Sequence, residues 1–109
     1  MSTATARVPT ISGAKYVQQL CKHWSHKLDV SLWENKGVVR FPSAIATMEA
    51  TADATLVTIE GQEEEAVERM KGVIANHLDR FAFREAPLSF HWFNSGGHAA
   101  RSKSAKQSS

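Results

Sequence analysis

Between residues 29 and 60 the chain alternates apolar and polar side chains in short runs, and one amphipathic helical stretch lies on each side of that block. This arrangement restricts the fold more than any single motif does. Alternation gives each strand one apolar face, and a helix with one apolar stripe can cover one such face. Two helices of this kind predict an open sheet covered on one side only.

The runs "DVSLWE" and "GVVRFP" flank "NK", with Gly37 following, which predicts a hairpin. "IATMEAT" and "ATLVTIE" predict two more strands around the turn-like "ADA". Ahead of the block, "TATARVPT" contains Pro9 and reads as a short edge strand over residues 4–9. Ser12 is then the expected N-cap of a helix over 13–28. Past Gly61, "QEEEAVERMKGVIANHLDRF" predicts a second helix, with Glu63, Glu64 and Glu65 in the first turn where the macrodipole favours acids. Pro87 introduces a last strand, "LSFHWF". The predicted order is β-α-β-β-β-β-α-β: an α+β two-layer sandwich, mainly antiparallel, with both helices on one face.

At 109 residues, 42% of them hydrophobic, the chain is long enough for one domain with its own core. Residues 1–94 are expected to form that domain and 95–109 a disordered basic tail. The formal charge of +2 is carried by the tail, where Arg101, Lys103 and Lys106 face no acid. Without these three, 10 basic residues stand against 11 acids, so the body is not expected to bind nucleic acid on charge grounds. A single cysteine excludes an intrachain disulfide and suits a reducing compartment. The first ten residues carry no apolar signal-peptide core, and no apolar run reaches the length of a membrane span. A cytoplasmic location without membrane attachment is the expectation.

"LCKHWSHKL", residues 20–28, places Cys21, His23 and His26 at a spacing that suggests a metal. Helical geometry argues against it. Val17, Leu20, Cys21, Trp24 and Leu28 share one apolar stripe, while His23 lies ~200° and His26 ~140° around from Cys21. No metal site is expected, and Cys21 reads as a small buried hydrophobe. His77 falls inside the second helix's stripe of Ala66, Val67, Met70, Val73, Ile74, Leu78 and Phe81. It is either a core histidine tied to a backbone carbonyl or hydroxyl, or a polar group presented to a pocket between helices and sheet. Arg80 sits ~60° from His77 on the helical projection and could border the same cleft.

On the strands, Trp33, Val38, Arg40, His91 and Phe93 are expected on the uncovered face, as a binding or homodimer surface. No phosphate-binding glycine loop, HExxH, CxxC or nucleophile elbow is present in the sequence. Although the open sheet suggests an RNA-recognition surface, "KGVVRF" lacks aromatics to stack bases.

The stretches "ARVPT", "YVQQLCKHWSHKL", "GVVRFP", "ANHLDRFAFRE" and "LSFHW" together resemble a bacterial family, domain of unknown function 2218, over roughly residues 4–93. Similar domains occur joined to siderophore-interacting flavin reductases, so the resemblance implies a link to ferric-siderophore handling. The matching blocks contain Cys21, His23, His26, His77, Arg80, Phe81, Phe83, Arg84 and Glu85. The resulting expectation is a non-enzymatic module that binds a small ligand or protein partner, with no cofactor. Its ligand residues would be His23, His77, Arg80, Phe81 and Arg84. The alternative is an uncharacterised enzyme with a His77-centred pocket and a nearby arginine for an anionic substrate. A deep apolar pocket at His77 would favour the enzyme, and a filled core around it the binding module.

Overall fold

The computed structural model describes residues 2–82, 84 and 85, and 88–96. The elements follow as β1 (Ser2–Pro9), α1 (Gly13–Trp24), β2 (Asp29–Trp33), β3 (Lys36–Arg40), β4 (Ala44–Ala50), β5 (Ala54–Gly61), α2 (Glu64–Phe81) and β6 (Trp92–Gly96). All the strands join one sheet in the order β2-β3-β4-β5-β1-β6, and every pairing is antiparallel. The chain is an α+β fold with both helices on one face.

The register explains the layers. Ala4, Ala6 and Val8 of β1 pair with Ile59, Val57 and Thr55 of β5, and Ala46 and Met48 of β4 pair with Val39 and Gly37 of β3. All of these point toward the helices, and the apolar ones among them are buried. Many are small, so the helices approach closely and supply bulk themselves through Leu20, Trp24, Met70, Ile74 and Leu78. One close approach is at Gly37, where a Cβ would lie 2.3 Å from Cys21 Sγ.

Several boundaries differ from expectation. Helix α1 ends at Trp24, not residue 28, because Ser25 Oγ donates to the Lys22 carbonyl at 2.9 Å and the chain turns into β2. Leu28 packs against the core from the turn. Ser12 gives α1 no side-chain cap; its carbonyl accepts from the Tyr16 N–H at 3.2 Å. The hairpin turn is Glu34–Asn35, one residue before "NK", and Glu34 adopts a left-handed φ of 44°. Strand β6 begins at Trp92, because Leu88 N–H is drawn to Asp79 Oδ1 at 2.9 Å before any pairing with β1. It also runs to Gly96, opposite Ser2, two residues past the expected domain boundary at 94. Phe83, Pro87 and the rest of the expected tail, 97–109, lie outside the described residues. No helix among the described residues is long and apolar enough to cross a membrane.

Candidate functional site

The conspicuous cysteine-histidine block does not converge. Cys21 is 1% exposed and faces Gly37, and burial pushes its thiol up to about 11. His23 and His26 are exposed on other sides. Among the described residues, no group of three or more His, Cys, Asp or Glu side chains gathers at one point.

Instead, α1 and α2 bring aromatic rings together. Trp24, buried at the end of α1, meets Phe41 edge-on with centroids 5.0 Å apart and lies 4.9 Å from the His77 ring. His23 sits 5.6 Å from His77 and 6.0 Å from Phe81. His77 is half-buried at the margin of the α2 stripe, and its Nδ1 donates to the Val73 carbonyl at 2.7 Å. His23, His77 and Phe81 therefore belong to one surface, as parts of two different helices.

Phe81 also borders a surface depression of about 170 Å³, lined by Lys15, Tyr16, Phe81 and Arg84. Arg80 is exposed on α2 and does not line it, so the arginine beside the depression is Arg84. The difference is geometric. Past Phe81 the helix ends, and the chain bends back toward the start of α1. The stripes alone do not single out Lys15 or Tyr16, although Tyr16 projects within ~20° of His23 on α1.

Glu85 fixes that bend. Its carboxylate accepts from the Tyr16 hydroxyl and lies 3.0 Å from the Thr10 hydroxyl at both oxygens. Thr10 and Tyr16 are themselves buried. The family-like "RFAFRE" block thus contains a structural clasp in Glu85. The bond to Glu85 raises the Tyr16 pKa above its ordinary 10.0, with burial adding to the effect. Since the neutral phenol is favoured when folded, this stabilisation is complete below pH 10 and is lost as pH climbs through the raised value. Tyr16→Phe should cost about 1 kcal/mol near neutrality and flatten the alkaline loss of stability. Chemical denaturation of both proteins between pH 7 and 11 measures this; parallel pH curves would contradict the clasp.

On the uncovered face, the expected single patch is divided. Trp33, Val38 and Arg40 lie on β2 and β3, whereas Phe93 lies on β6, four strand steps from Val38 or about 19 Å. Thr47, Thr58 and Thr5 occupy the row between Val38 and Phe93. Arg40 is engaged by Asp29 at 3.5 Å and Ser31 at 3.3 Å, and His91 is exposed just before β6. The separation follows from β6 pairing with β1 rather than with the hairpin. Among the described residues, the exposed large apolar side chains of this face, Trp33, Ile45, Leu56 and Phe93, stand on four different strands.

The family is decided by the match of residues 5–93 to DUF2218, described as an uncharacterised protein conserved in bacteria. The chain belongs to this family. A solved relative with the same fold is PA4090 from Pseudomonas aeruginosa, determined by NMR. It shares 34% identity with a TM-score of 0.75, over 85% of this DUF2218 chain and 96% of the Pseudomonas chain. No curated protein matches the DUF2218 chain.

Proposed function

We propose that this DUF2218 protein is a non-enzymatic binding module, taking the planar, anionic part of a small ligand at the surface where α1 and α2 meet. The observation that carries this reading is the position of Phe81. Its ring lies 6.0 Å from His23 and also lines the depression shared with Lys15 and Arg84. An aromatic face next to two cations suits a flat ligand with negative charge. The Glu85 carboxylate nearby is occupied by two hydroxyls, which lessens its repulsion of an anion.

The openness of the site supports binding over catalysis. A depression of about 170 Å³ admits part of a ligand, where enclosing sites measure roughly 300–1,000 Å³. Water is not excluded from so shallow a surface, and Trp24 packs against the His77 ring. The family resemblance to domains joined to siderophore-interacting reductases suggests ferric catecholate siderophores as the ligand class, handled in the bacterial cytosol. Such complexes present aromatic rings and net negative charge.

Calorimetric titration with a ferric catecholate, with haem and flavin as comparison ligands, tests the proposal. Arg84→Gln and Lys15→Gln should each weaken binding about two- to fivefold, the scale of an exposed charge contact. Raising the salt concentration should weaken it as well. Binding that is indifferent to both substitutions and to salt would remove this site from consideration.

A further inference from the structure

His23 and His77 come from different helices and lie side by side, with ring centroids 5.6 Å apart and planes tilted by 46°. The Val73 carbonyl oxygen can only accept, so the 2.7 Å contact places the His77 proton on Nδ1. In the neutral ring Nε2 then keeps its lone pair, and ring geometry turns it away from the backbone of α2. Histidines that bind metals are commonly held this way, with the second nitrogen donating to a carbonyl that fixes tautomer and ring plane. Trp24 packs against the same ring at 4.9 Å and limits its movement.

From this geometry we propose that His23 and His77 form a two-imidazole site for a divalent transition-metal ion of the zinc or copper class. An imidazole nitrogen bound at about 2.0–2.1 Å puts its ring centroid about 3.2 Å from the metal. Two rings at a tetrahedral angle would then lie about 5.2 Å apart, close to the separation present here. His23 is exposed, so its ring is free to turn a nitrogen toward the ion. Imidazole pairs suit zinc, copper and nickel over magnesium or calcium. With two protein ligands the ion is exchangeable, and its other positions are open to water or to an external ligand. The site does not rest on the anionic-ligand reading, since the bare ion is the probe.

The experiment is titration of the full chain with zinc chloride, followed through the imidazole ring resonances by NMR. The His23 and His77 signals should move together, saturate at one equivalent and return on adding a chelator. In His23→Gln, an exposed substitution, the His77 response should be lost and the affinity should fall by about tenfold or more. His26→Gln should leave both signals responding as before. The site is overturned if His23 moves with His26 while His77 stays still, as an adjacent surface pair would. It is equally overturned if His77 still responds in His23→Gln.

Discussion

Trp24→Ala should destabilise the fold by about 3–5 kcal/mol, the range for removing a buried tryptophan. Trp24 is 5% exposed and joins three parts of the chain: the end of α1, Phe41 beyond β3, and His77 on α2. Its loss removes the edge-to-face contact with Phe41 along with the apolar burial, and leaves a cavity between the helices. For a domain of this size each kcal/mol corresponds to about 4–8 °C in midpoint, so calorimetry should show a fall of more than about 12 °C. Trp24→Phe should cost clearly less, since a ring remains to meet Phe41 and His77. A cost below about 1 kcal/mol for the alanine variant would mean that the helix ends are not packed as described.

Gly37→Ala should cost about 1–3 kcal/mol through overpacking. The new Cβ would lie 2.3 Å from Cys21 Sγ and 3.3 Å from Val17 Cγ1. Both atoms belong to α1, one bond from the Cβ, so relief requires moving either a side chain off its rotamer or the helix itself. The decisive variant is the double substitution. Cys21→Ala removes the sulfur, and the pair should be more stable than the two single costs predict, by about 0.5–3 kcal/mol of coupling. Simple additivity in denaturant unfolding would contradict the contact. The same geometry defines Cys21 as a packing residue, kept protonated by a burial that pushes its thiol up to about 11.

Gly37 also shows why part of the fold is hard to read from residues alone. Next to "NK" it reads as a turn glycine, which shifts the hairpin by one residue. It is in fact inside β3, where it makes room for α1; a glycine within a strand can mark a close approach. The turn falls on Glu34, whose positive φ has no glycine or asparagine to announce it. The architecture was legible because alternation and helical stripes are long-range constraints. The boundaries at Trp24 and Trp92 depend on single side-chain bonds from Ser25 and Asp79, which periodicity does not register.

The candidate site was legible in the same uneven way. His23, His77 and Phe81 meet because they occupy facing flanks of two helices, and the helical projection predicts His77 and Phe81 on one stripe. Arg84 replaces Arg80 because the chain leaves helical geometry after Phe81, where a 100° projection no longer applies. The split of the outer face was hidden for another reason. The strand pattern says which face each residue takes, while only the strand order says how far apart Val38 and Phe93 lie.

The central claim is that ligand is taken where α1 and α2 meet, and amide chemical-shift mapping with a soluble aromatic anion such as 2,3-dihydroxybenzoate tests it most directly. The account predicts saturable shifts centred on Lys15, Tyr16, His23, Phe81 and Arg84, diminished in Arg84→Gln. Saturable shifts confined to the uncovered face around Trp33, Val38 and Thr47, with the helices unmoved, would contradict it.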